Sequence, residues 1–303
     1  METAHHGTER RGLILALLGF ATLSIGDTIV KTMAGQWAAS AVTACRYAFG
    51  ALGLAALVAA REGVGALRPV RPALQLLRGV SVAVATIGFA GAVFIMPLAD
   101  ATAIVFVSPM LTGLLSALFL GEPARRETWI ATVAAFAGVL VVLRPNLLAL
   151  GPGALLPLLT AGGMSLLIIG NRALVGSASA LAQQFYAAVV AAPVLVAIAV
   201  AGAFSDFAPM AVGVPSPSVV ARCAIVAVTA TTGHWLIYRG TVLAGAGAVA
   251  PMAYVQILVV ALLGWAVFGN VPAPLSVAGM MMIVGAGLYL WRAGRMREPV
   301  EVE

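Results

Sequence analysis

The sequence predicts an all-α integral membrane protein of ten transmembrane helices, and three observations predict it. The 303 residues are 62% hydrophobic and only 9% charged, whereas a soluble domain carries roughly 45–50% apolar and about 25% charged residues. Uncharged runs recur at 79–99, 101–121, 145–171, 173–205 and 240–291, and one spanning helix needs only about 20 residues. The basic residues alternate in density along the chain, as they do when successive loops fall on opposite sides of a bilayer. A closed barrel is excluded because its strands alternate polar and apolar residues, and no stretch here does so.

Charges, prolines and glycines divide the chain into ten spans. The first, 12–32, follows Arg10 and Arg11, and no cleavage-type site comes after it, so it is read as a retained helix and not a signal peptide. The second, 38–60, carries Arg46 and closes at Arg61; the third, 75–96, follows Arg68 and Arg71, holds Arg78 near its start and ends before Pro97. The fourth, 99–120, starts at Asp100, which is placed to cap it, and contains Pro109; the turn at 122–127 is charged and leads into the fifth, 127–144. A connecting loop, 145–151, precedes the sixth span, 152–172, and the seventh covers 180–203. The eighth is 219–239, the ninth 245–268 with Pro251 near its start, and the tenth 274–292, leaving tails at 1–11 and 293–303.

With both termini cytoplasmic, thirteen of the seventeen basic residues fall on the inner side. Lys31, Arg144 and Arg222 fall outside, and Arg46 lies within the second span. The net charge of +6 is therefore a topology signal and calls for no nucleic-acid partner. Cys45 and Cys223 have no ligand-like neighbours and imply neither a disulfide framework nor a metal site.

An internal repeat accompanies these spans. A shift of 148 residues lays FVSPMLTGLLSALFLGE (106–122) over YVQILVVALLGWAVFGN (254–270), and a slightly different shift lays Ile25-Gly26-Asp27 over Ile169-Gly170-Asn171. The implied units, 12–144 and 152–292, hold five helices each, and an odd unit must insert its second copy upside down. Secondary transporters are commonly built this way, with the substrate site near the midplane between the halves.

The chain resembles the drug/metabolite transporter superfamily, in particular its EamA-type ten-helix members. The resemblance rests on GDTIVK (26–31), ACRYAFG (44–50), LRG (77–79), PLADATAIVFVSPMLTGLLSALFLGE (97–122), GVLVVLRP (138–145) and APMAYVQILVVALLGWAVFGNVP (250–272). It covers nearly the whole chain and implies a carrier in the bacterial inner membrane whose cargo is a small metabolite: amino-acid-like, vitamin- or flavin-like, or nucleoside-like. Drug export on the same fold is the alternative. Members often have an acid at the end of the ninth helix, where this chain has Asn270.

Charges inside a span normally face a wet cavity or each other. Asp27 and Lys31 are spaced i, i+4 and can meet on one helix face, with Arg46 of the next helix at a similar depth. His234 and Tyr238 are one turn apart beside Thr231 and Trp235, and the histidine makes proton coupling available. Tyr254 and Gln256, Ser108, and Gln183, Gln184 and Tyr186 add hydrogen-bonding and stacking groups suited to a zwitterionic or heteroaromatic ligand. These residues are the candidate substrate contacts. Pro109 and Pro251 are candidate hinges, since each removes a backbone hydrogen bond. Ala131, Ala134, Ala135 and Gly138, with Gly279, Gly285 and Gly287, mark spans five and ten as closely packed scaffold.

No P-loop pattern is present, so ATP is not expected to drive the protein, and no cofactor is expected. Energy is expected from a substrate gradient, an exchanged metabolite or a proton. An intramembrane enzyme using His234 with a serine is the competing class; it lacks a GxSxG elbow and paired catalytic carboxylates.

Overall fold

A computed structural model describes residues 2–120, 126–174, 176–205 and 210–295. The part of the charged turn at 122–125, and the tail beyond 295, lie outside the described residues. The helices are α1 (Glu2–Thr32), α2 (Ala39–Glu62), α3 (Pro72–Ile95), α4 (Leu98–Val105), α5 (Ser108–Leu120), α6 (Arg126–Leu150), α7 (Leu156–Ala173), α8 (Ala180–Ala203), α9 (Pro217–Ala244), α10 (Ala246–Val249), α11 (Val255–Phe268) and α12 (Pro274–Arg295). Among the described residues, ten stretches are long and apolar enough to cross a membrane, from Arg10–Lys31 to Pro274–Ala293. The protein is a multi-pass integral membrane protein.

Local chemistry sets the helix ends. Ser179 caps α8 by accepting a hydrogen bond from the Ala182 N–H at 3.0 Å, and Ser216 with Pro217 opens α9. At the far end of α11 the N–H groups of Gly269 and Asn270 return to Trp265 and Gly264, with Gly269 at φ +67°. That is a glycine-terminated helix in which the last carbonyls are satisfied.

Three boundaries differ from the sequence expectation. Helix α6 continues through the stretch read as a connecting loop and stops at Leu150, because the turn is made by Gly151 at φ +62° and not by Pro145. The fourth span breaks at Phe106 and Val107, so Pro109 stands in the first turn of α5, where its missing N–H costs nothing, and not in a helix interior. The ninth crossing opens with a 3-10 turn, Ala250–Tyr254, that contains Pro251.

In lipid there is little hydrophobic drive between helices, so close backbone packing holds the bundle together. Large side chains such as Leu52, Leu118, Leu258 and Met281 point outward, while Ala83, Ala101, Ala131, Ala161 and Ala191 fill the interior. The tightest seam joins α1 and α9 through Gly12 and Gly19 facing Gly240 and Gly233. A Cβ added at Gly240 would lie 2.6 Å from the Gly12 carbonyl oxygen. The other main seams are α3 against α7, α2 against α8, and α6 against α12. The last is closed by Gly138 and Gly279, each of whose missing Cβ admits the other's carbonyl.

Candidate functional site

A cavity of about 210 Å³ opens between α2, α3, α7, α8 and α9. Apolar walls come from Leu54, Val82, Leu167 and Val226, and polar groups from Arg46, Tyr47, Arg78, Asn171, Gln184, Thr231 and His234. An apolar hollow with a few convergent polar groups is the expected form of a small-molecule site.

Arg78 is only 5% exposed and lies within the third span. Its Nε donates to Asn171 Oδ1 at 2.6 Å, and its Nη1 donates to the side-chain oxygens of Gln75 and Gln183. Gln75 Nε2 donates in turn to Gln183 Oε1 at 3.1 Å, and Gln183 Nε2 to Ser177 Oγ at 2.9 Å. The guanidinium thus ties α3 to α7 and α8 through neutral amides, with no carboxylate among its partners in the described residues. Arg46 differs. Its guanidinium lies 5.2 Å from the centroid of the Tyr47 ring, and among the described residues no acceptor or carboxylate binds it. Tyr47 is held by Thr86 Oγ1, which donates to its hydroxyl at 3.0 Å. His234, which lines the cavity, donates from Nδ1 to the Ala230 carbonyl at 2.7 Å, and its Nε2 has no hydrogen-bond partner among the described residues.

Of the residues proposed from sequence as substrate contacts, Arg46, Gln184 and His234 line this cavity, and Gln183 bonds to Arg78 at its edge. The i, i+4 pairing of Asp27 with Lys31 does not form. Lys31 Nζ donates instead to the carbonyls of Val93 at 3.0 Å and Met96 at 2.6 Å, because the end of α3 offers carbonyls with no helical partner. Asp27 is half-buried and makes no hydrogen bond or ion pair with any described residue, though it lies within the field of Arg46. Tyr186 donates to the carbonyls of Ala66 and Arg68 and anchors the α2–α3 linker. Tyr238 is 47% exposed on the outer face of α9. Tyr254 stacks on Phe106 with centroids 5.2 Å apart and fills the notch left by Gly287. Ser108 begins α5, where its carbonyl accepts from Thr112 and Ser165. Gln256 is half-buried on α11, away from the cavity.

Asp100 is not a helix cap. It is 4% exposed, and its Oδ2 accepts from Asn146 Nδ2 at 2.8 Å and Ser276 Oγ at 3.4 Å, joining α4 to α6 and α12. Sequence reasoning missed Arg78 and Tyr47. Arg78 reads as one more inner-side arginine because it stands only two turns into its helix; its neighbour Gln75 at i−3, a polar residue on the same face, is the signal that could have separated it.

Comparison with known proteins agrees with this architecture. Residues 10–144 match the EamA-like transporter family. The pseudopaline exporter of Pseudomonas aeruginosa is 30% identical over 93% of this chain and 96% of its own length. The S-adenosylmethionine uptake transporter of Rickettsia prowazekii is 26% identical, covering 93% of each chain. The riboflavin transporter of Rhizobium johnstonii is 28% identical over 78% of this chain and 76% of its own length. A solved structure at 17% identity superposes with a TM-score of 0.59 over 95% of this chain and 99% of the other, which supports the fold alone.

Proposed function

The chain belongs to the EamA-like transporter family and is a transporter of small metabolites, not an enzyme; from that premise we propose that it is a secondary carrier working by alternating access. Two inverted five-helix halves rock about the cavity between α2, α3, α7, α8 and α9, exposing it to each side in turn. Both termini are cytoplasmic, and the membrane is the inner membrane of a bacterium.

The observation that carries this reading is an exchange of helix partners. Taking α4 and α5 as one crossing and α11 as the ninth, the contact of crossing one with eight becomes that of six with three when five is added to each. One with nine becomes six with four, and two with eight becomes seven with three, while two–seven and five–ten map onto themselves. All of these contacts are present. The residues follow the same rule. Gly19 packs on the Gly233 carbonyl and Gly163, 144 positions later, packs on the Ser81 carbonyl. That offset is the one that lays Asp27 over Asn171. The 148-residue shift lays Phe106 over Tyr254; one follows α4 and the other precedes α11, and their rings touch. Contact between a residue and its own counterpart fits a two-fold axis passing between them.

The cargo is a metabolite of the size and polarity that the relatives carry, as S-adenosylmethionine and riboflavin are. Coupling to a proton or to an exchanged metabolite supplies the energy, and the free Nε2 of His234 is the group available for a proton. The test is uptake of radiolabelled S-adenosylmethionine and riboflavin into proteoliposomes, alone and with each compound preloaded inside. Accumulation that Arg46→Ala abolishes while the variant stays monodisperse is the expected result. Equal uptake by wild type and Arg46→Ala would remove the cavity from the transport path.

A further inference from the structure

We propose that this cavity recognises its cargo by a carboxylate, received on the open guanidinium of Arg46 in the field of Arg78; the proposal rests on the transport reading above and names the chemistry of the same site. Two permanent cations line one small hollow. An unpaired buried charge is costly, and arginines inside a membrane span normally meet a carboxylate or a phosphate. Arg78 meets only amide oxygens, and Arg46 meets no acceptor among the described residues.

The acids whose side chains are described do not close the deficit. Glu62 binds the Ser179 hydroxyl, Asp100 is held by Asn146 and Ser276, and Glu127 has a partner of its own. Asp27 lies within the field of Arg46, yet it forms no ion pair with it. Two guanidinium groups line the hollow and no described carboxylate lines it with them, so the site is left positive. A carboxylate on the cargo, such as the one S-adenosylmethionine carries, offsets that local charge. The planar fork of Arg46 suits a carboxylate bound through two parallel hydrogen bonds. Arg78 spends its Nε and Nη1 on the amides that fix it, so its part is to hold positive potential at the site. Gln184, Thr231 and the His234 Nε2 remain for the rest of the ligand.

The test pairs acids with their methyl esters, which lack the carboxylate's negative charge. Purified full-length protein is screened by thermal shift against S-adenosylmethionine and the common amino acids, each beside its methyl ester, with riboflavin as a neutral probe. At least one acid should stabilise the protein, its ester should bind about tenfold or more weakly, and Arg46→Gln should erase the difference while Arg46→Lys restores part of it. Uptake of the same probes into proteoliposomes runs alongside. Acid and ester binding alike, riboflavin binding without any acid doing so, or no acid binding at all would overturn the proposal. If riboflavin is transported in those cases, the transport reading stands and only the carboxylate is lost.

Discussion

Two helix pairs in this molecule stand in the same relation to the proposed two-fold axis and have opposite characters. Helices α6 and α12 meet dry, glycine on glycine, with Gly138 and Gly279 each admitting the other's carbonyl. Helices α2 and α8 also meet, yet they flank a hollow that holds Arg46, Tyr47 and Gln184. The difference lies in side-chain size and charge. Small residues let backbones close and exclude water; on one side of the α2–α8 seam a cation from α2 and an amide from α8 line the hollow and suit it to water or a polar solute. The lesson is that the fold places equivalent seams, and a few residues decide which becomes scaffold and which becomes site.

Breaking the dry seam should have the largest effect. Gly138→Leu would drive a Cβ to 2.8 Å from the Gly279 carbonyl oxygen, and overpacking of this kind costs typically about 1–3 kcal/mol, with backbone contacts at the upper end. A lowered thermal midpoint and loss of the monodisperse peak are expected, and a stable Gly138→Leu protein would mean that the seam is looser than described. On the wet seam, Gln184→Ala should leave stability intact and lower uptake by up to roughly tenfold, the effect of one neutral hydrogen bond of about 0.5–1.5 kcal/mol. Initial-rate uptake against substrate concentration reads it directly. The smallest effect belongs to Tyr238→Phe, because this side chain faces outward from α9; uptake should match wild type, and a clear loss would bring Tyr238 back as a ligand contact.

These contrasts also mark how far the sequence could be read. The ten crossings were legible because bilayer length and the asymmetry of basic residues are local properties, and the end of α11 was written in Gly269 and Asn270. The 148-residue shift that aligns Phe106 with Tyr254 was visible in the sequence, although the contact between their rings was not. Partner choice was the harder part. Lys31 is drawn to Val93 and Met96 by carbonyls left open at the end of another helix, and such a vacancy exists only after folding. Asp100 looked like a cap from its place at a helix start, but its partners, Asn146 and Ser276, are 46 and 176 residues away. The α1–α9 seam, by contrast, was there to be found, in the seven-residue spacing of Gly12, Gly19 and Gly26 against Gly233 and Gly240.

The central claim is that the cavity is reached from both sides of the membrane, and labelling tests it most directly. In a background of Cys45→Ala and Cys223→Ala, Thr231→Cys is exposed to a membrane-impermeant maleimide in right-side-out and in inverted vesicles. The account predicts labelling from both faces, with substrate shifting the balance between them. Labelling from one face alone, unchanged by substrate, would contradict it.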